Sequence, residues 1–276
     1  MVKDIVVSLN LGEHGGFSGE YAISVAAKLG AHLAGVAFVY DPIVPVSGMG
    51  FVPAEVIETQ QNDNEAAAKA AIDGFTQAAE RAGISAQPLT LNASFAGAGQ
   101  QFGHIARRFD LAVVGQGEPD KGAVEEIIAE GALFESGQPV IVVPYIQKAP
   151  LKLDRVMICW DGSRPAARAI SGAMPLLNLA GQVEVVIVTN ERGKQDEIEG
   201  ADMGEHLARH GLKVDIHRIA GGDIDVADAL LSHAADFGAD FMVMGGYGHT
   251  RLREFVLGGV THSIMHSMTV PVFMAH

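Results

Sequence analysis

The chain repeats itself, and the repeat limits its folds more than any other feature. Val2 to Leu9 is an apolar run closed by Asn10, and Val156 to Trp160 is an apolar run closed by Asp161, an offset of 151 residues. Farther on, Gln138-Pro139-Val140-Ile141-Val142-Val143 is echoed by Val270-Pro271-Val272-Phe273-Met274, an offset of 132 from Pro139 to Pro271. The first copy therefore holds about 19 extra residues, the difference of the two offsets. They are expected in Asp41 to Pro53, whose prolines and glycines are loop chemistry. A repeat this long indicates duplicated domains rather than a solenoid of short units. The domains expected are residues 1–147 and 152–276, joined across Tyr145 to Lys152.

Each copy alternates short Val/Ile-rich runs with helical stretches. In the second copy strands are predicted at Arg155–Trp160, Val183–Thr189, Lys213–Ile219, Phe241–Met244 and Val270–Met274. Helices are predicted at Arg164–Leu179, Asp196–His210, Asp225–Phe237 and Gly259–Met268. In the first, strands are predicted near Ile5–Leu9, Leu33–Val39, Gln87–Leu91, Leu111–Val114 and Val140–Val143. Nearly continuous apolar strands separated by helices form parallel sheets covered on both faces. Crossover handedness then favours a doubly wound sheet. The fold class is α/β, with two tandem doubly wound five-stranded parallel-sheet domains of the Rossmann-like, nucleotide-binding kind. Ligands of such sheets bind beyond the carboxyl ends of the strands, where strand order reverses.

With 48% hydrophobic residues, the 276-residue chain can build two cores. Its net charge of −14 argues against a general binder of nucleic acid or anionic membrane. One cysteine, Cys159, rules out an intrachain disulfide and suits a reducing compartment. Met1-Val2-Lys3-Asp4 opens no signal-peptide core, and no apolar run reaches the roughly 18–20 residues of a membrane span. A cytoplasmic protein is expected.

The chemistry is concentrated at Gly245-Gly246-Tyr247-Gly248, followed nine residues later by Gly258-Gly259-Val260-Thr261. The segment joins a predicted strand to a predicted helix. Glycine lets backbone N–H groups turn toward a ligand and lets a bulky anion approach. A helix beginning near Gly258 adds its unpaired N–H groups and positive dipole end. This is a phosphate cradle whose spacing is neither that of the Walker A loop nor G-x-G-x-x-G.

With these residues in place, the chain resembles a tandem universal stress protein, two such domains covering nearly its whole length. The family's adenine-nucleotide motif is Gly, two residues, Gly, nine residues, Gly, then Ser or Thr. Gly245, Gly248 and Gly258 keep that spacing, with Gly259 where Ser or Thr stands in the family, followed by Val260 and Thr261. The resemblance implies an aspartate near adenine and ribose at the end of the first strand, here Asp161. It implies a residue of the adenine pocket after the second strand, here Asn190 in Thr189-Asn190, where the family has an apolar side chain. Met244 fits a residue packed beside the nucleotide. ATP, with Mg²⁺ as a companion, is the implied ligand. His249, Arg251 and Arg253 are candidate charge stabilisers, and Thr261 a candidate contact to phosphate or to metal-bound water.

The first copy departs from the motif. Gly115-Gln116-Gly117-Glu118-Pro119-Asp120 has Glu118 at the second glycine position and no later Gly–Ser/Thr pair, and Asn10 replaces Asp161. Residues 115–131 carry five acids and one lysine, net −4, whereas 245–261 carry two arginines and one glutamate, net +1. Near a partly buried site each like-charge contact costs on the order of a kilocalorie or more. Nucleotide is expected in the second copy alone.

Plainer roles compete with these. Gly245 and Gly248 would also serve as a turn, Gly258 and Gly259 as close helix–sheet packing, and Asp161 or Ser163 as a helix cap. Trp160 and Cys159 read as core. His262 and His266 stand i, i+4 without a third ligand nearby, which favours a solvated face over a metal. Asp223 to Asp228 lacks the glycine and glutamate of a calcium loop and reads as acids at a helix start. The leading function is an ATP-binding regulatory protein of the stress response. The alternatives are a slow ATPase or autophosphorylating enzyme and a nucleotide-free dimeric scaffold. No catalytic base stands out in 245–261, so at most slow hydrolysis is expected. The last strands of the copies need cover, so an intrachain pseudo-dimer is expected, and a homodimer of chains is compatible with it.

Overall fold

The computed structural model describes residues 1–11, 16–42, 53–119, 123–189, 196–221, 224–246 and 259–276, the backbone alone for 196–201. By contacts the chain divides into one unit of residues 2–136 and another of 137–276 together with Met1.

The first unit contains β1 (Asp4–Ser8), α1 (Phe17–Leu29), β2 (His32–Tyr40), α2 (Ala54–Arg81), β3 (Ala86–Ala93), α3 (Ala98–Ala106), β4 (Leu111–Gly115) and α4 (Ala123–Glu135). Its strands run in the order β3-β2-β1-β4, with β1 parallel to β2 and β4, and β2 parallel to β3. β1, β2 and β4 are almost wholly buried, as their unbroken apolar runs require.

The second unit contains β5 (Val140–Val143), β6 (Arg155–Cys159), α5 (Arg164–Leu177), β7 (Gln182–Thr189), α6 (Asp196–Arg209), β8 (Val214–Ala220), α7 (Val226–Phe237), β9 (Phe241–Gly245), α8 (Val260–Ser267) and β10 (Val272–Ala275). Its order is β5-β10-β9-β6-β7-β8. From β10 to β8 the pairs are parallel, and β5 joins β10 antiparallel through Val142↔Val272 and Val140↔Met274. The repeat boundary and the contact boundary thus differ. The last strand of the first copy is counted with the second unit because it is buried and pairs with β10 through Val140, Ile141 and Val142.

The extra length of the first copy does not sit where its prolines suggest. Thirteen residues separate β2 from α2 and six separate β7 from α6, while α2 has 28 residues and α6 has 14. Most of the insertion is helix. The buried residues of α2, Ala68, Ala71, Phe75 and Ala79, lie in its second half, and its opening residues are exposed. A polar helix start reads as a loop when no apolar stripe marks it. Phe75 is held by a missing side chain: a Cβ on Gly35 of β2 would come within 2.5 Å of its ring.

One device is written twice. Asp110, just before β4, accepts from Lys3 N at 2.7 Å and Asp4 N at 3.1 Å. Asp240, just before β9, accepts from Asp154 N at 3.0 Å and Arg155 N at 3.3 Å. Each carboxylate ties the start of its copy's fourth strand to that of its first. Burial raises the pKa of Asp240, against the lowering effect of these backbone bonds. Among the described residues no helix is long and apolar enough to cross a membrane.

Candidate functional site

In the second unit the chain winds outward from β6 to β7 and β8, then returns to β9 on the other side of β6. The reversal lies between β6 and β9, in register at Cys159↔Met244. Two residues beyond Cys159 stands Asp161, and next to Met244 stands Gly245, so the two expected site residues leave neighbouring strand ends. Asp161 is exposed. Its Oδ1 accepts from Ser163 N at 2.9 Å, and Ser163 Oγ accepts from Ala166 N at 3.2 Å. Asp161 thus shapes the turn into α5 and Ser163 caps that helix, with Gly162 in the left-handed region at φ 74°.

Gly245 has a physical reason to be glycine. A Cβ there would stand 2.5 Å from Ala166 N and 2.9 Å from the carbonyl carbon of Pro165, both backbone. The strand end is pressed against the first turn of α5. Gly246 N donates to Ala275 O at 2.8 Å, and His276 Nδ1 lies 3.1 Å from Gly246 O, donating in the tautomer protonated there. Arg168 Nη1 of α5 donates to His276 O at 2.8 Å. The start of the glycine segment is thereby tied to β10 and to α5. Sequence reading missed Arg168 and His276, which lie 108 residues apart and belong to no motif.

Met244 is buried in β9. Gly259 is the N-cap of α8 with no side-chain cap bond, Val260 opens the helix, and Thr261 in its first turn is 5% exposed. That turn carries no acid. Asn190, Gly248, His249 and Gly258 lie outside the described residues, as do Arg251 and Arg253. Trp160 follows β6 directly, and its indole Nε1 is enclosed without a partner among the described residues. Burial pushes the Cys159 thiol up to about 12, with Asp161 adding to the shift. An unreactive structural thiol results.

The first unit offers the same reversal, between β1 and β4, with different side chains. Asn10 Oδ1 lies 2.6 Å from Ser18 Oγ, which is also 2.7 Å from Ser8 O, and Asn10 Nδ2 faces Glu125 Oε1 at 3.5 Å. Gly115 leaves room for that arrangement, since a Cβ would fall 2.7 Å from Asn10 Nδ2. α4 begins only eight residues after Gly115. It covers the position of the motif's third glycine with Ile128, which is buried, and bears Glu125 and Glu126 in its first turn. Gly131, deeper in α4, packs against the backbone of Gly99 in α3. A cavity of about 240 Å³ opens here, lined among others by Asn10, Tyr40, Phe95, Glu125 and Ile128. Tyr40 stacks on Phe95 with ring centroids 4.6 Å apart. Burial raises the Tyr40 phenol well above its usual range, with Glu125 adding to the shift.

Comparison with known proteins bears on both copies. Residues 152–276 match the model of the Universal stress protein family. A universal stress protein of Synechocystis is 25% identical over 170 residues, a match covering 59% of this chain and 57% of that protein. A universal stress protein structure from Archaeoglobus fulgidus superposes with a TM-score of 0.73 at 20% identity, covering 99% of this chain and 95% of that one. A structure from Pseudomonas aeruginosa gives a TM-score of 0.63 at 15% identity, covering 99% and 92%. At these identities the structural likeness is one of fold, and it extends over both copies.

Proposed function

We propose that this protein is an ATP-binding regulator of the stress response whose nucleotide is held by the second copy, a reading supported by the match of residues 152–276 to the universal stress protein family and by the likeness of fold over both copies. The observation that carries this reading is the contrast between the first turns of the helices that follow the fourth strand of each copy, α4 and α8. α4 carries Glu125 and Glu126 in its first turn, and α8 opens on Gly259 with no acid. A helix N-terminus attracts an anion through its N–H groups and dipole. In the first copy carboxylates of the chain already occupy that position. In the second, among the described residues, no carboxylate stands in the helix's first turn.

The residues present suit ATP. Asp161 stands beside Gly245 at the strand reversal, and Gly245 admits no side chain. In this reading Asp161 and Asn190 hold the nucleoside, with Met244 beneath it. Gly245, Gly248, His249, Gly258, Gly259, Val260 and Thr261 hold the phosphates, with Mg²⁺ as counter-charge. Such a site grips phosphate without an evident base to activate water, which suits a sensor that keeps ATP intact. Steady-state turnover is expected well below the roughly 1 s⁻¹ at the low end of typical enzymes. The reading includes a cytoplasmic setting and an intrachain pseudo-dimer of the two copies, the latter supported by the β5–β10 pairing. Small-angle scattering tests the pairing: a compact particle fits, and two independently tumbling domains contradict it.

The deciding experiment is acid release of ligand from freshly purified protein with mass identification, then calorimetric titration with ATP and Mg²⁺. Adenine nucleotide at a stoichiometry near one per chain is expected. Two equivalent sites, or no affinity at all, would end the proposal.

A further inference from the structure

On the second unit, away from the strand reversal, three metal-ligating side chains meet on one face of the sheet. Glu184 is the third residue of β7, His217 lies on the neighbouring edge strand β8, and His233 lies on α7. Glu184 Oε2 is 2.6 Å from His233 Nε2, and both side chains are nearly enclosed, at 12% and 15% exposure. The His217 ring stacks on that of His233 with centroids 4.2 Å apart and planes 17° from parallel. One donor atom from each residue lies within 4.8 Å of the other two. Phe237, one turn along α7, also stacks with His233, with ring centroids 6.4 Å apart.

The placement needs a reason. Glu184 interrupts the otherwise apolar run of β7, where a carboxylate costs several kilocalories to enclose unless it is paired. Nothing in the strand pattern calls for it. At the same places in the first copy, the third residue of β2 is Ala34, and the partner of Val36 in β3 is Leu89. That apolar pair shows what the fold alone demands there. The second copy has replaced it with ligands.

We propose that Glu184, His217 and His233 form a binding site for a divalent first-row transition ion of the zinc class. Two imidazoles and one carboxylate are a donor set for such ions, with a fourth position left for water. Zinc lies about 2.0–2.2 Å from such donors, which in tetrahedral geometry stand roughly 3.4 Å from one another. The Glu184–His233 pair opens by less than an ångström to admit it, and exposed His217 turns inward to close the set. Without metal, Glu184 and His233 satisfy each other by hydrogen bonding. With it, the ion ties the edge strand β8 to α7 and β7. The i, i+4 pair of His206 on α6 and His210 just after it, with rings 4.8 Å apart, is a rival at the protein surface. α6 covers the opposite face of β8, since Gly204 meets Ile216 there, so the two clusters are separable by mutation.

The test uses the full chain after chelator treatment, titrated with Zn²⁺ by calorimetry and with Co²⁺ by visible absorption. One equivalent of Zn²⁺ per chain and the d–d bands of a tetrahedral Co²⁺ are expected. His217→Ala, at an exposed position that leaves folding intact, should weaken binding about ten-fold or more, and so should Glu184→Gln. The double variant His206→Ala/His210→Ala should bind like the parent. No saturable binding by the parent, loss of binding only in the His206/His210 variant, or unchanged affinity in His217→Ala would each overturn the proposal. Gly248→Val separates it from the nucleotide site, because that variant should lose ATP and keep Zn²⁺.

Discussion

At the end of β1 an asparagine is held by a serine hydroxyl on one side and faces a glutamate on the other. At the corresponding end of β6 an aspartate stands exposed and, among the described residues, is bonded to the turn it shapes. The two sheets run in the same order, 3-2-1-4 and 8-7-6-9, and reverse at the same place. Among the described residues, what differs is the set of side chains at the crevice. In the first copy Asn10, Tyr40, Phe95 and Glu125 turn toward one another around a cavity of about 240 Å³, below the roughly 300–1,000 Å³ of ordinary ligand sites. A duplicated fold keeps its scaffold through its backbone and apolar pattern. The few polar positions at a strand reversal can then change without loss of the fold.

The largest expected effect lies in the glycine segment. Gly248→Val or Gly258→Asp should weaken ATP binding by two orders of magnitude, about 2.7 kcal/mol or more, with little change in the melting temperature of the unliganded protein. Asn10→Asp, which copies Asp161 into the first copy, should create no second site, because Glu125 still occupies the start of α4. Calorimetry reads both, and a stoichiometry of two in Asn10→Asp would break the comparison.

Next come the glycines that close β4 and β9. The Cβ of Gly245→Ala meets backbone of α5, which cannot move aside, and should cost about 3 kcal/mol. Gly115→Ala meets the side chains of Asn10 and Phe17, which can shift, and should cost nearer 1 kcal/mol. Urea midpoints measure the pair, and the reverse order would mean the two strand ends are not packed as described.

A smaller and symmetric effect is expected from Asp110→Ala and Asp240→Ala. Each leaves two backbone N–H donors without their carboxylate and should cost about 1 kcal/mol. Clearly unequal losses would show that the repeated device has diverged in weight between the copies.

The smallest concerns Cys159, which stands 151 positions after buried Ser8. Its folded pKa, about 12, lies above the unfolded value of roughly 8.5. The burial of its neutral form therefore stabilises fully below about pH 8.5, and that contribution is lost as pH rises toward 12. Iodoacetamide at pH 8.5 should leave the native protein unmodified and label it in urea. Rapid native labelling would place the end of β6 in solvent and remove it from the core.

The duplication, the strand–helix alternation and the fold class were legible from Val2–Leu9, Val156–Trp160 and the two Val-Pro-Val-like endings, because burial of a parallel strand on both faces demands an unbroken apolar run. The glycine spacing and the charge contrast between residues 115–131 and 245–261 were legible for the same local reason. Other features depend on contacts between residues far apart in the chain, which no local pattern records. Only the tertiary structure shows that most of the first copy's extra length is helix and that Val140–Val143 runs antiparallel to the last strand of the second copy. Only it brings Arg168 to His276, turns Glu125 toward Asn10, and sets His217 against His233 and Glu184. A strand's apolar run comes from its own burial, whereas a cluster drawn from three elements exists only after the sheet has closed and α7 has docked on it.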